Sequence, residues 1–305
     1  MVREEKIIVV LGPTASGKTK FAASLAYELD TEIISADSRQ VYRDMNIGTG
    51  KDYPEYVVNG KPIPVNLIDI VNAGFEYDLS LFIRDFNKEY KRIISKDKVP
   101  ILCGGSGLYI EAVLKGYELP SIPINNELRS ELEIKDHEWL KNEYLKLPLH
   151  AHSESVDLST KKRTIRAIEI SKYLMNYKLD SPKDRVPTPL IFGLNPPIEI
   201  RRRLIEKRLI SRIEDGLIQE VESLLKNIPS EKLIRYGLEY KFVTEYLLGK
   251  LSKEELMIQL TIAIQQFAKR QMTYFRKMEK AGLKIHWIGS DEFEMVKKKS
   301  LDFIK

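Results

Sequence analysis

Residues 12–19 have the types and spacing of a phosphate-binding loop. The segment GPTASGKT fits the pattern G-x-x-x-x-G-K-[ST], in which Lys18 and Thr19 follow the second glycine. The glycines allow backbone torsions and close approach that a side chain would block, so backbone amides can surround phosphate oxygens. In such a loop the lysine reaches a phosphoryl group and the threonine hydroxyl binds Mg2+. We therefore predict that the whole segment binds a diphosphate or nucleotide: Gly12, Pro13, Thr14, Ala15, Ser16, Gly17, Lys18 and Thr19.

The segments on either side of this loop have the pattern that it requires. Residues 7–11 are an apolar run rich in β-branched side chains, which is typical of a buried parallel strand. Residues 21–29 suit a helix. A strand before the loop and a helix after it form the context of a real phosphate site. The loop does not identify the phosphate compound, because kinases, ATPases and other transferases all use it.

A second group of candidate residues follows the apolar run 32–36. Asp37, Ser38, Arg39 and Gln40 come directly after this predicted strand. Polar groups just past the carboxyl end of a parallel strand lie at the edge where α/β sheets bind ligands. Asp37 is the best candidate for chemistry outside the loop. An aspartate here could also cap a helix or bind the magnesium of a nucleotide hydrolase.

Further apolar runs predict the rest of the sheet. Residues 99–103 lead into the glycine cluster GGSGLY at 104–109, whose amides could face a ligand. Residues 64–71 predict a strand that contains Asp69, a possible Walker-B-like acid. Strands are also predicted at 190–194 and 284–288, helices at 79–95, 198–227 and 256–278, and a charged tail after 288. Several polar or glycine-rich junctions at carboxyl ends of strands together predict a ligand crevice.

Length and composition predict one large α/β core with an insert. The chain has 305 residues, of which 43% are hydrophobic and 30% are charged, as in ordinary soluble domains. Between 119 and 185 the strand pattern gives way to a charged, helical one that returns through a Pro-rich hinge at 181–189. We predict an α/β fold with a P-loop NTPase-like parallel sheet flanked by helices. Its core would comprise 1–118 and 186–305, and 119–185 would form an all-helical insert.

Basic residues are concentrated in one part of the chain. The net charge is +5, yet the segment from Lys161 to Arg212 contains 14 Lys or Arg and only 5 Asp or Glu. This concentration fits a polyanionic partner or, equally, a solvated helix face. In the predicted helix 256–278, Arg270, Tyr274 and Lys277 share one face, which suits the splayed bases of an RNA loop.

The composition also excludes some classes of protein. The single cysteine, Cys103, excludes an internal disulfide and a multi-cysteine zinc site. No apolar run is long enough to cross a bilayer, and the N-terminal segment MVREEK resembles neither a secretory nor a transit peptide. We therefore expect a cytoplasmic protein that does not bind membranes. We also expect a monomer, although the composition does not bear on the oligomeric state.

Seven motifs, taken in order, resemble those of the tRNA dimethylallyltransferase family, also called tRNA isopentenyltransferases. They span nearly the whole chain: GPTASGKT at 12–19, DSRQVY at 37–42, IGTGK at 47–51, LID at 67–69, GGSGLY at 104–109, KRTIRAIE at 162–169 and FAKRQMTYFR at 267–276. The resemblance implies that the phosphate loop holds dimethylallyl diphosphate. The implied acceptor is N6 of the adenosine beside the anticodon of tRNA, at tRNA position 37.

The resemblance also implies roles for individual residues. Lys18, Thr19 and Mg2+ would stabilise the departing diphosphate, with Thr19 as a metal ligand. Asp37 would accept a hydrogen bond and then the proton from the exocyclic amine. The residues assigned to tRNA binding are Asp37, Ser38, Arg39, Gln40, Ser106, Lys162, Arg163, Arg166, Lys269, Arg270 and Arg276.

The chain departs from the family pattern at a few positions. Val65 and Asn66 replace a histidine pair, Gln265 replaces an arginine, and Tyr274 replaces a tryptophan. These departures concern tRNA contacts and leave the diphosphate site intact. Three alternatives stay open: a P-loop small-molecule kinase, an enzyme that prenylates free AMP or ADP, and a non-catalytic RNA-binding protein. The sequence does not specify which tRNAs are substrates or how strictly the anticodon loop is recognised.

Overall fold

The computed structural model describes residues 5–118, 121–150, 153, 156–177, 186–289 and 291–305. The chain forms two compact units. The first unit comprises Met1–Lys115 and Arg185–Lys305, and the second is Gly116–Asp184.

A six-stranded parallel sheet forms the centre of the first unit. The strands of the chain are β1 Lys6–Leu11, β2 Ile33–Ser35, β3 Val57–Val58, β4 Lys61–Pro62, β5 Val65–Asn66, β6 Ile101–Gly104, β7 Thr188–Leu194 and β8 Ile285–Ile288. The sheet order is β5-β2-β6-β1-β7-β8, and every neighbouring pair is parallel. Strands β3 and β4 form a separate antiparallel hairpin. The predicted α/β fold class with a parallel sheet is therefore confirmed.

Strand β1 explains why this sheet has two cores. All five residues from Ile7 to Leu11 are buried, because both faces of a parallel sheet are covered by helices. Side chains alternate between the faces of a strand. Ile7, Val9 and Leu11 accordingly pack into one hydrophobic cluster, and Ile8 and Val10 pack into the other.

Helices cover both faces of the sheet. Those of the first unit are α1 Lys18–Glu28, α2 Leu79–Ile94, α3 Gly107–Lys115, α7 Ile198–Glu214, α8 Leu217–Leu225, α9 Ser230–Leu233, α10 Leu238–Leu247, α11 Lys253–Lys280 and α12 Phe293–Ile304. Helices α1 and α12 contribute buried side chains to the cluster around Val10, and α2, α3 and α7 to α11 contribute to the cluster around Val9. Among the described residues, no helix is both long and apolar enough to span a membrane.

Two predicted elements are interrupted in the structure, and the charged tail predicted after 288 instead contains helix α12. The strand predicted at 64–71 ends at Asn66, because Leu67 and Asp69 adopt positive φ angles of 63° and 56°. The helix predicted at 198–227 is broken into α7 and α8 at Gly216, whose φ is 104°. Each change redirects the chain where local pattern alone predicted continuity.

The described part of the second unit contains helices and no strand. Its helices are α4 Asn126–Glu133, α5 His137–Leu145 and α6 Lys161–Asn176. Leu132, Leu140 and Ile168 belong to its buried core. The buried Glu169 carboxylate accepts hydrogen bonds from the Asn125 amide at 2.6 Å and from Arg129 at 2.9 Å. Most of the Pro-rich hinge predicted at 181–189 lies outside the described residues, and its last two residues begin β7.

Glu32 links the edge of the sheet to a helix of the first unit. Its carboxylate accepts hydrogen bonds from Arg92 of α2 at 3.2 Å, from Lys96 just beyond the end of that helix at 2.9 Å, and from the side-chain amide of Asn66 in β5 at 3.2 Å. The bond from Arg92 is the main reason that the pKa of Glu32 is lowered from 4.5 to about 2. The carboxylate thus holds strands β2 and β5 and helix α2 together.

We predict that Glu32→Gln lowers the free energy of unfolding by about 2 to 3 kcal/mol at pH 7. The reason is that the pKa of Glu32 is lower in the folded than in the unfolded chain, so the ionised carboxylate stabilises the folded state. This contribution is complete above the unfolded pKa of 4.5 and is lost as the pH falls towards about 2. Urea unfolding of the parent chain and the variant, at pH 7 and at a series of lower pH values, measures this difference in unfolding free energy. Glu222→Gln, at an exposed site on α8, should change stability by less than about 0.5 kcal/mol. A Glu32→Gln deficit that does not shrink below pH 4.5 would contradict this account.

Candidate active site

The carboxyl ends of β1, β2 and β6 open into a cavity of about 630 Å³ within the first unit. The residues that line it include many of those predicted from the sequence: Thr14, Lys18, Thr19, Asp37, Ser38, Arg39, Gln40, Ser106 and Arg270. Side chains from the phosphate loop, from the turn after β2 and from the glycine cluster after β6 therefore share one cavity. This is the arrangement expected where the carboxyl ends of parallel strands meet.

The phosphate loop is held in place from both sides of the cavity. Helix α1 begins directly after Gly17, which has a φ of 79°, so that its first turn faces the loop. The Thr14 amide donates a hydrogen bond to Oε1 of Gln271 at 2.8 Å, and Nε2 of Gln271 donates to the Gly105 carbonyl at 2.9 Å. One buried glutamine of α11 therefore ties the loop after β1 to the loop after β6.

Two polar groups of the loop are suited to a phosphate ligand. Nζ of Lys18 donates a hydrogen bond to the Pro13 carbonyl at 3.3 Å, and burial lowers the pKa of this lysine. The Cys103 thiol and the Asp37 carboxylate partly oppose that pKa change. Oγ of Ser16 is buried and has no hydrogen-bond partner among the described residues. A buried hydroxyl without a partner and a desolvated ammonium are both stabilised by phosphate oxygens.

The turn after β2 is packed directly against the loop after β6. Oδ1 of Asp37 accepts the Arg39 amide at 2.9 Å, and Oγ of Ser106 accepts the Ser38 amide at 3.2 Å. The Ser106 amide donates to the Ala36 carbonyl at 3.3 Å. A Cβ atom on Gly104 would lie 2.2 Å from that same carbonyl oxygen, so only glycine fits there. This close contact fixes the direction of Asp37.

The side chain of Gln40 connects this turn to the next loop. Its Nε2 donates to the Gly50 carbonyl at 3.0 Å, and its Oε1 accepts the Ser35 hydroxyl at 3.0 Å. Both ends of the amide are therefore bonded within the protein, although Gln40 also lines the cavity. Its proposed contact with a target base stays a prediction.

Asp69 has a structural environment that the sequence did not reveal. It forms an ion pair with Lys51, which is 1% exposed, and it accepts a hydrogen bond from the Tyr53 hydroxyl. Lys51 also donates to the Tyr42 carbonyl at 2.6 Å and to Oδ1 of Asn46 at 2.8 Å. Asp69 is not among the residues that line the cavity. Its place therefore gives no support to a Walker-B-like role.

Comparison with known proteins gives the family. The family model described as IPP transferase matches residues 40–278, and the model described as Isopentenyl transferase matches residues 5–63. A curated relative from Phocaeicola vulgatus, named tRNA dimethylallyltransferase 2, is 52% identical over 93% of this chain and 92% of its own. This chain belongs to the tRNA dimethylallyltransferase family. The members of this family are prenyltransferases.

One solved structure agrees with this assignment, and a second has the same fold. The tRNA isopentenylpyrophosphate transferase of Bacillus halodurans is 27% identical, with a TM-score of 0.71 over 99% of this chain and 97% of that one. A eukaryotic dimethylallyltransferase acting on tRNA has a TM-score of 0.79 over 98% of this chain and 79% of that one, at 20% identity. The second likeness shows the shared fold only.

Two arginines of this family member enter the cavity from α7. Arg208 forms an ion pair with Asp52, and Nη1 of Arg212 donates to Glu239 at 3.0 Å. A Cβ atom on Gly50 would lie 1.8 Å from Nη2 of Arg212, which shows how closely the guanidinium packs on this loop. Burial lowers the pKa of Arg212. In the sequence both arginines belong to a basic block, and their spacing of four was the one signal that they share a helix face.

A carboxylate of α8 was also missed. Glu220 accepts the backbone amides of Asn46 and Ile47 at 2.7 Å each and of Gly48 at 3.0 Å. It also accepts the hydroxyl of the buried Tyr240 at 2.7 Å. This single side chain fixes the loop that carries the IGTG motif. No local sequence pattern could have identified it, because its partners lie far away in the chain.

The remaining predicted residues lie outside the lining of the cavity. Lys269 and Arg276 are exposed on α11. In the second unit, Lys162, Arg163 and Arg166 all lie on α6. Arg163 donates to Asp157 at 2.7 Å, and Arg166 pairs with Glu169 and donates to the Ile122 carbonyl at 2.7 Å. Lys162 is exposed and has no ion pair among the described residues.

We predict that Gln271→Ala weakens binding of inorganic pyrophosphate in the presence of Mg2+ by roughly five- to tenfold, because two buried hydrogen bonds that fix the phosphate loop are lost. Isothermal titration calorimetry measures the change. Gln265→Ala on the same helix, at a half-exposed site outside the cavity lining, is the matched control and should bind pyrophosphate normally. Equal affinities of the two variants would contradict the role assigned to Gln271.

Proposed function

We propose that this chain transfers the dimethylallyl group of dimethylallyl diphosphate to N6 of the adenosine next to the anticodon, at tRNA position 37. Family membership supports this proposal, and one observation carries it. The Lys18 ammonium of the phosphate loop and the Asp37 carboxylate line the same cavity. The negative charge of Asp37 partly offsets the lowering of the Lys18 pKa that burial causes. A leaving-group site and a base are both needed for this transfer. We also propose that the protein acts in the cytoplasm as a monomer.

The cationic end of the cavity would hold the diphosphate. As the allylic C1–O bond breaks, its electron pair leaves with the diphosphate while positive charge develops on the carbon. Fixed positive charge beside the departing oxygens lowers the barrier to this step. Lys18, Arg208 and Arg212 supply that charge, and the amides of the phosphate loop supply hydrogen bonds. All of these groups are held in place before the substrate arrives.

The residues at this end also fit a magnesium ion. Mg2+ prefers oxygen ligands and in phosphate sites usually combines one or two protein oxygens with phosphate oxygens and water. Thr19 lines the cavity on the first turn of α1, and the Ser16 hydroxyl, which has no hydrogen-bond partner in the described part of the chain, lies in the same loop. Thr19 would hold the ion. When bound, the ion would neutralise charge on the departing diphosphate.

Asp37 is the candidate base at the other end. The exocyclic amine of adenosine is a poor nucleophile because its lone pair is delocalised into the ring, so it needs accurate placement and a base within hydrogen-bond reach. Oδ1 of Asp37 accepts the Arg39 amide, and Oδ2 has no hydrogen bond to any described residue. Oδ2 is therefore available to accept the N6 proton as the new N6–C1 bond forms. Ser38 and Arg39 line the cavity beside it.

The acceptor base must leave its stack to reach this cavity, at a cost of roughly a few kcal/mol. Contacts with the RNA backbone can offset that cost and make binding depend on salt. Arg270 lines the cavity, and Lys269 and Arg276 are exposed on the same helix. We propose that these residues, together with Ser106 and with Lys162, Arg163 and Arg166 of α6, bind tRNA.

The proposal predicts that Asp37→Asn causes near-complete loss of product while tRNA still binds. Loss of a general base lowers the rate by about a hundredfold to ten-thousandfold. Each variant is incubated with dimethylallyl diphosphate, Mg2+ and bulk tRNA, the tRNA is digested, and the nucleosides are analysed by mass. Asp44→Asn, at an exposed site shortly after the same turn, should keep the activity of the parent chain. Normal product from Asp37→Asn, or no modified adenosine from the parent chain, would refute the proposal.

A second prediction concerns the insert. Lys162→Ala should weaken tRNA binding and lower the slope of log affinity against log salt by about 0.7 to 0.9, because one phosphate contact is lost. Filter binding at several salt concentrations measures the slope. Lys298→Ala removes an exposed charge from α12 and should leave both affinity and slope unchanged. Identical salt slopes for the Lys162→Ala variant and the parent chain would remove Lys162 from the tRNA interface.

A further inference from the structure

The place of the five-carbon group follows from the two ends of the cavity, if the proposed function holds. The prenyl carbon must lie between the diphosphate held at Lys18 and the amine held at Asp37. Side chains that reach this space must be close to both groups. Cys103 satisfies that condition. Its Sγ donates to the Lys18 carbonyl at 3.7 Å, its carbonyl accepts the amide of Ala36, the residue before Asp37, at 2.7 Å, and it lines the same cavity as both groups. Burial raises the pKa of this thiol to about 12, so it stays neutral and weakly polar.

Tyr56 is the second neutral side chain at this place. It lines the cavity, is 7% exposed, and belongs to the same buried cluster as Cys103. The cavity that its ring borders is the one that Lys18, Asp37 and Cys103 also line. Burial raises the pKa of Tyr56, so its hydroxyl stays protonated.

The hydroxyl of Tyr56 is not used to hold the fold. It has no hydrogen bond to any described residue. By contrast, the Tyr236 hydroxyl accepts the Gly74 amide, and the Tyr240 hydroxyl donates to the Glu220 carboxylate. What Tyr56 presents to the cavity is mainly the bulk of an aromatic ring. An apolar surface of this size is suited to a small hydrocarbon group.

The backbone that carries Tyr56 is firmly held, so the ring cannot easily retreat. Tyr56 ends a short 3-10 helix, Tyr53–Tyr56, that packs against α1. Its carbonyl accepts the Ile63 amide at 2.8 Å, and the Glu55 amide donates to the Asp52 carbonyl at 2.8 Å. Asp52 is in turn paired with Arg208. A wall that is fixed in this way can reject a longer ligand.

We propose that Tyr56 is a specificity-determining residue that, with Cys103, forms the wall of the prenyl pocket and limits the donor to a five-carbon chain. A ten-carbon allylic diphosphate would carry a second isoprenoid unit into the volume that the ring fills. Because the wall acts by its bulk, removal of the ring should admit the longer chain, and removal of the hydroxyl alone should not.

The test compares dimethylallyl diphosphate with geranyl diphosphate as donors to bulk tRNA in the full-length chain. For Tyr56→Ala we expect the ratio of kcat/KM for geranyl to dimethylallyl diphosphate to rise by at least about tenfold, the usual scale for steric discrimination in a hydrophobic pocket. Tyr56→Phe retains the ring and should keep the ratio of the parent chain within about threefold. Tyr90→Leu alters a buried tyrosine outside the cavity lining and should leave the ratio unchanged.

Folding and phosphate binding are checked separately, by thermal unfolding and by titration with inorganic pyrophosphate. If Tyr56→Ala does not fold, Tyr56→Leu replaces it and should raise the ratio by a smaller factor. An unchanged ratio in a folded Ala or Leu variant that binds pyrophosphate normally would overturn the inference. So would an equal change in Tyr56→Phe, since the hydroxyl and not the bulk would then be responsible. Failure of the parent chain to prenylate tRNA from dimethylallyl diphosphate would instead refute the proposed function.

Discussion

Close backbone contact between the loops after β1, β2 and β6 is the constraint on which the site depends. The Gly104 Cα lies so near the Ala36 carbonyl that a Cβ atom would be only 2.2 Å from its oxygen. Gln271 joins the Thr14 amide to the Gly105 carbonyl from the far side of the cavity. A side chain in this junction would push the loops apart. The phosphate site and the carboxylate would then no longer share one cavity, whatever their chemistry.

This contact produces a cavity with two chemically different ends. Burial penalises the charges of Lys18 and Arg212 and lowers their pKa values, even though Arg212 is paired with Glu239. A bound diphosphate would relieve that penalty. Asp37 lies beyond them, with one carboxylate oxygen fixed by the Arg39 amide. The neutral side chains of Tyr56 and Cys103 line the same cavity, and we propose that the transferred group passes beside them from one end to the other. A kinase would need no apolar space there.

The parts of this site that could be predicted from the sequence are those with a local cause. The β-branched run of β1, the glycine pattern of residues 12–19 and the polar residues after β2 each follow from short-range rules. The residues that hold these parts together could not be predicted in this way. Gln271 and Glu220 act on partners far away in the chain, and only the tertiary fold shows which face of α7 directs Arg208 and Arg212 inward. The same reason explains the strand that ends at Asn66 and the helix α12, which the sequence presented as a charged tail. Arg166, which the family resemblance assigned to tRNA binding, also pairs with the buried Glu169, so its charge already has a partner inside the fold.

Equilibrium binding of dimethylallyl diphosphate and of ATP, each with Mg2+, to the parent chain and to Lys18→Ala tests the central claim most directly. If the glycine-rich loop holds an allylic diphosphate, titration calorimetry will show dimethylallyl diphosphate binding that weakens at least about tenfold in the variant, as expected for loss of a charge-assisted contact. The parent chain will not hydrolyse ATP. Dimethylallyl diphosphate binding that is indifferent to Lys18, or ATP hydrolysis that depends on it, would contradict the account.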